Sequence, residues 1–150
     1  LGFYGVSETA LGAQEVSANV AELLGADKPK LLISSACPSV VEYIKKYHPD
    51  NSDNVTGFLS PLLSQCKLLK KHYGDEVGII FIGPCIAKKK EAEAHPELLD
   101  VVITFEDFER WMEEANVSFD ELSASEDDRF IPEDAKEERF IQLTGGCVRV

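Results

Sequence analysis

Positive charge is scarce in this chain. Its 150 residues carry 15 Lys and Arg against 27 Asp and Glu, a formal net charge of −12. Phosphate binding needs clustered positive charge, so nucleic acid is excluded as a main partner. Binding to an anionic membrane surface is disfavoured for the same reason. No apolar run approaches the roughly 20 residues of a membrane-spanning helix. Neither a secretory signal nor an initiator Met opens the chain, so Leu1 reads as the interior of a longer protein. Cysteines are few and far apart: Cys37, Cys66, Cys85 and Cys147, with no C-x-x-C pair. Such spacing does not suit a disulfide framework or the closely spaced ligands of a common zinc site. A cytoplasmic setting is the expectation. Without a secretory route, the glycosylation-like triplets Asn54-Val55-Thr56 and Asn116-Val117-Ser118 read as turn residues. No tandem repeat of fixed period is present.

What is there supports a packed core, since 44% of the residues are hydrophobic. The spacing of Ala13, Val16, Val20 and Leu23 predicts a helix over 8–24, with Ser7 as N-cap and Gly25 as its stop. Residues 30–34 (KLLIS) predict a buried strand, and 39–47 a helix with Pro38 in its first turn. Residues 48–57 read as a polar turn region. A third helix is predicted over 61–73, closed by Gly74, with Leu62, Cys66, Leu69 and Tyr73 on one face. Residues 77–82 (VGIIFI) predict a second strand, followed by a lysine-rich helix to about Ala94. A short strand over 101–103 leads to Thr104, which with Asp107 makes a capping box. Phe105, Phe108 and Met112 form the apolar side of the helix that follows. Residues 120–138 are strongly acidic and read as an exposed loop or insertion. Residues 140–143 predict a last strand, running into Gly145-Gly146-Cys147. Strands that are continuous apolar runs and alternate with helices predict an α/β fold, a parallel sheet flanked by helices on both faces. The whole of 1–150 is expected to be one domain.

Cys37 and Cys85 carry the chemistry. Both fall at predicted carboxyl ends of strands, where ligands collect in parallel α/β sheets. Both also precede a helix, where unpaired N–H groups favour a thiolate or an anionic cluster. The residues alone leave three readings open: a shared metal or iron–sulfur centre, small side chains packed in tight turns, or a reactive thiol. No His lies near either cysteine in sequence, which weakens the third. Lys88 lies one helical turn after Cys85, and Glu91 is spaced to pair with it. A solvated lysine-rich face is the plainer alternative. Cys66 and Cys147 read as buried, and His48, His72 and His95 as surface residues near helix ends.

These residues together resemble a family. Ser34-Ser35-Ala36-Cys37-Pro38 resembles the first cluster motif of iron-only (diiron) hydrogenases, T-S-C-C-P. Gly83-Pro84-Cys85-Ile86-Ala87-Lys88-Lys89-Lys90-Glu91 resembles the second, M-P-C-x-x-K-x-x-E. Ser60-Pro61 falls where the family has a Ser-Pro near its active metal. The stretch 101–122 and Thr144-Gly145-Gly146 resemble the family's later strand, helix and T-G-G turn. The likeness spans most of the chain.

The resemblance implies one lobe of a two-lobed catalytic domain with the metal centre between the lobes. It implies a 4Fe–4S cluster held by four cysteines, one of which bridges to a diiron unit that makes or splits hydrogen. Cys37 and Cys85 resemble two of those ligands. Lys88 resembles the lysine that contacts the diiron unit's ligands, and Glu91 the motif's acidic position behind it. Ser60 and Pro61 are implied to line the cofactor. Ala36 stands where the family has a proton-relay cysteine, and alanine cannot carry a proton. That form looks like members joined to sensory domains. The third motif, with the remaining two cysteines, is absent. The chain is therefore expected to be inactive alone, to need the remaining lobe and an electron-transfer or sensory domain as partners, and to pair as a homodimer through its uncovered surface. The alternative implied is a non-catalytic iron–sulfur or protein-interaction module on the same scaffold.

Overall fold

Small side chains decide how the first helix packs. The computed structural model describes residues 2–27, 31–123, 125 and 128–132. They form two compact units, one of 2–8 with 78–132 and one of 9–77. In the second, α1 spans Ala10–Asp27 and lies against α3, Pro61–Tyr73. Ala10, Ala13 and Val16 are buried on α1; Leu62, Leu63 and Cys66 are buried on α3. A Cβ on Gly12 would collide with the Pro61 carbonyl oxygen and lie 2.5 Å from the Gln65 nitrogen. Only a residue without a side chain admits that approach. Ser64 Oγ donates to Glu15 Oε2 at 2.5 Å and ties the two helices further. The helix begins later than predicted and runs on through Gly25, whose missing side chain faces open space. Glycine lowers helix stability without forbidding the helix.

Between these helices lie α2, Pro38–Tyr47, and a 3-10 turn over Pro49–Asn54 in the predicted polar region. α3 has the predicted boundaries: Ser60 is its N-cap, Pro61 its first residue, and Gly74 follows with φ +99°. The predicted strand before Ser34 is reduced to a parallel bridge between Ile33 and Val55. The side chains of Thr56 and Ser34 take over the hydrogen bonding beyond it, accepting from the Ser35 and Ala36 N–H groups.

The other unit carries the sheet. β1, Ile80–Ile82, pairs in parallel with β2, Val101–Ile103, with Ile80 opposite Val101. The chain is thus α/β with a small parallel sheet. β1 starts three residues later than predicted, and just before it the Asp100 carboxylate takes the Ile79 N–H at 2.8 Å, so Ile79 does not join the ladder. Crossing from β1 to β2 is α4, Ala87–Ala94. β2 ends at Ile103, and the next residue, Thr104, caps α5, Phe105–Glu114, in the predicted capping box. α5 closes at Asn116, in the left-handed region at φ +53°, where Asn is among the tolerated residues. Met112 is the buried residue of α5, whereas Phe105 is exposed. Phe3 meets the Trp111 ring edge-on at 5.7 Å. Residues 120–123, 125 and 128–130 are exposed. The start of the first predicted strand at Lys30, the predicted strand over 140–143, the Thr144-Gly145-Gly146 turn and Cys147 lie outside the described residues.

Candidate metal centre

In the unit of 9–77, Cys37 is the N-cap of α2, in extended backbone geometry, and its thiol is exposed. Pro38, at the first helical position, forgoes an N–H that would have had no helical partner. The Cys37 side chain makes no capping hydrogen bond to the helix start. The loop before it is stitched in place. Ile33 N–H donates to Asn54 O and Thr56 N–H to Ile33 O, both at 2.8 Å. Ser35 N–H donates to Thr56 Oγ1 at 3.0 Å, and Ser35 Oγ donates to Phe58 O at 2.7 Å. Ala36 N–H donates to Ser34 Oγ at 3.2 Å. These bonds tie the Cys37 loop to the strand-like segment that runs into Ser60 and Pro61. Ser60 is buried, and its hydroxyl accepts from Leu63 N–H at 3.3 Å, as an N-cap does. Ala36 presents a methyl group at half-buried depth beside Cys37.

In the other unit, β1 passes into Gly83, whose N–H donates to Ile103 O at 3.1 Å and extends the sheet pairing by one residue. Pro84 and Cys85 follow, both exposed, and Cys85 stands two residues before α4. Its carbonyl accepts from Lys88 N–H at 3.1 Å. Lys88 Nζ donates to Glu91 Oε2 at 2.6 Å, with side-chain exposures of 12% and 9%. This is the pairing the i, i+3 spacing predicted, and its depth distinguishes it from an ordinary surface ion pair. Lys89 points elsewhere: its Nζ donates to Asp107 Oδ2 at 2.9 Å. The same oxygen accepts from Thr104 N–H at 3.0 Å. The Thr104 amide first, and then the Lys89 ammonium, hold the Asp107 carboxyl well below the usual carboxylate range.

The predicted site residues thus fall into two groups, one in each unit. Ala36, Cys37, Ser60 and Pro61 belong to one, and Cys85, Lys88 and Glu91 to the other. Cys66 is fully buried on α3, as its helical spacing indicated. His48 and His95 are the C-caps of α2 and α4, and His72 lies in the last turn of α3. Thiolate sulfur suits a soft iron centre, and the two exposed cysteines fit it in type and access. Among the described residues no group of three or more His, Cys, Asp or Glu is arranged to hold a metal ion. No helix among them is long and apolar enough to cross a membrane. Sequence reasoning missed Ser35 and Thr56, which lie 21 residues apart and form no local motif. It also missed the Lys89–Asp107 link, although it had found Asp107 in the cap.

Comparison with known proteins identifies the family. The family model for the C-terminal domain of the iron-only hydrogenase large subunit matches residues 1–150. Iron hydrogenase 1 of Clostridium pasteurianum is 24% identical over 166 residues, covering 99% of this chain and 29% of that protein. The cytosolic Fe-S cluster assembly factor NAR1 homolog of Schizosaccharomyces japonicus is 28% identical, covering 80% of this chain and 27% of that protein. Among solved structures, a variant FeFe-hydrogenase HydA1 from Chlamydomonas reinhardtii superposes with a TM-score of 0.64 at 26% identity, over 83% of this chain and 36% of that one. The chain spans about three-tenths of the length of these curated relatives. From a two-strand parallel sheet, two cysteine turns ahead of helices, and a match along its full length, the chain belongs to the family defined by the C-terminal domain of the iron-only hydrogenase large subunit.

Proposed function

We propose that this chain supplies Cys37 and Cys85 as two thiolate ligands of an iron–sulfur centre in a hydrogenase-like domain. The observation that carries the proposal is the contrast among the described cysteines: Cys37 and Cys85 are exposed next to helix starts, while Cys66 is buried. In the parent protein the centre is a 4Fe–4S cluster, with a diiron unit where hydrogen chemistry is performed. When bound, the cluster supplies electron transfer and the diiron unit makes or splits hydrogen. Lys88, fixed in direction by Glu91, would offer its ammonium to the diiron unit's ligands. Ser60 and Pro61 line the cofactor from the start of α3. Ala36 carries no proton, so hydrogen or redox sensing stands level with bulk hydrogen turnover as the parent's role. The remaining lobe and an electron-transfer or sensory domain are the partners this reading requires.

A second reading is favoured by the likeness to the cytosolic Fe-S cluster assembly factor NAR1. There the scaffold is a non-catalytic iron–sulfur or protein-interaction module. Iron and acid-labile sulfide per chain, after anaerobic reconstitution, test what the two readings share. Cys37→Ser and Cys85→Ser are each expected to lose at least about half of the bound iron. Wild-type iron in both variants overturns the proposal. Hydrogen uptake or evolution by the parent, loaded with the diiron unit, separates the two readings.

A further inference from the structure

We infer that Ser35 and Thr56 are positioning residues that set the Cys37 turn against the start of α3 through a hydrogen-bond circuit of fixed direction. The assignment of directions follows from counting protons. Phe58 O can only accept, so the single Ser35 hydroxyl proton, at 2.7 Å from it, is used there. The Ser35 and Thr56 hydroxyl oxygens are also 2.7 Å apart. With the Ser35 proton spent, the Thr56 hydroxyl must be the donor in that bond. Thr56 Oγ1 in turn accepts from Ser35 N–H at 3.0 Å. Each residue therefore gives to and takes from the other, and Ser35 also holds the Phe58 carbonyl. Thr56 is 8% exposed, so water competes poorly for these groups. Two residues lie between Ser35 and Pro38, and one between Phe58 and Ser60. The circuit thus bridges the two segments that carry Cys37 and Ser60-Pro61.

The role as a positioning device for a metal ligand rests on Cys37 binding iron; the positioning itself does not. The first experiment therefore measures alkylation of Cys37 by iodoacetamide in the full chain carrying Cys85→Ser and Cys147→Ser. Ser35→Ala and Thr56→Val are each expected to raise the rate roughly fivefold, the effect of one lost neutral hydrogen bond on the opening of the loop. Thr56→Ser keeps donor and acceptor and is expected to stay within roughly twofold of the parent. Ser64→Ala removes the bond to Glu15 elsewhere in the same unit and leaves the Cys37 rate unchanged. Unchanged rates in Ser35→Ala and Thr56→Val overturn the inference, as does a Thr56→Ser rate equal to that of Thr56→Val. Should the variants fail to fold, hydrogen exchange in the unaltered chain decides. The Ser35 amide is expected to exchange at least about tenfold slower than in an unstructured chain, and unprotected exchange overturns the circuit. Iron retention after reconstitution is a separate arm. Full iron in Cys37→Ser removes the metal reading and leaves the alkylation result to stand or fall by itself.

Discussion

Lys88 and Glu91 illustrate what a single residue's neighbours reveal in advance. Their three-residue separation on a helix announces the pair, and the 2.6 Å contact realises it. Burial of both side chains makes each dependent on the other, because removing one leaves the second charge desolvated. Gly12 and Gly25 show the opposite case. Both lie in α1, although the sequence marks Gly25 as a helix stop and gives Gly12 no role. The distinction is tertiary: Gly12 faces the backbone of α3, and Gly25 faces open space. Gly12→Ala forces rigid backbones apart and is expected to cost about 1–3 kcal/mol. Gly25→Ala gains helix propensity and is expected to stabilise by about 0.5–1 kcal/mol. Urea midpoints of the two variants check this, and opposite signs are required. Equal shifts would mean that α1 and α3 do not pack as described.

At the scale of elements, helices were legible and strands less so. α2, α3 and α5 announce themselves through Pro38, the Ser60-Pro61 start, the Gly74 stop and the Thr104–Asp107 box, all of which act locally. β1 and the bridge at Ile33 were over-read, because apolar runs do not show where side chains intercept the ladder. Asp100 does so at Ile79, and Ser35 with Thr56 does so after Ile33. The positions of Cys37 and Cys85 were readable for the same reason the helices were: each sits in a Pro-containing turn at a helix start. What held those turns was not readable, since it comes from residues distant in sequence. Asp107 joins the two kinds of information. It caps α5 locally and binds Lys89 of α4 across 18 residues. Its carboxyl is held below the usual range, so its contribution to stability is present above the unfolded carboxylate value of about 3.9. That contribution is lost as pH falls through the still lower folded value. Asp107→Asn is therefore expected to be less stable than the parent at neutral pH, with the gap narrowing below about pH 4. Thermal melts across that range read the gap, and a difference that is constant with pH rules out the charged cap.

At the scale of the whole molecule, composition sets limits and the family match supplies direction. A net charge of −12 keeps copies apart at low ionic strength, so any association must overcome repulsion. On the proposed function, iron supplies a reason to associate. A cubane cluster takes four thiolates, and the described residues offer two exposed ones per chain. Two copies that pool Cys37 and Cys85 reach four. On this proposal, reconstitution with iron and sulfide in moderate salt raises the solution mass from 16.6 kDa to twice that value. Pooling requires the metal-free chain to remain at the single mass under the same conditions, and likewise Cys37→Ser with iron. Sedimentation equilibrium at several loading concentrations distinguishes these states. An iron-loaded chain that stays monomeric at every concentration would show that the remaining ligands come from elsewhere, and pooling would then be rejected. A dimer that forms without iron would instead place the driving force in exposed apolar side chains, of which Tyr4 and Ile86 are the most solvent-accessible among the described residues. The cysteine variants would then leave the mass unchanged, which separates the two causes in one series of runs.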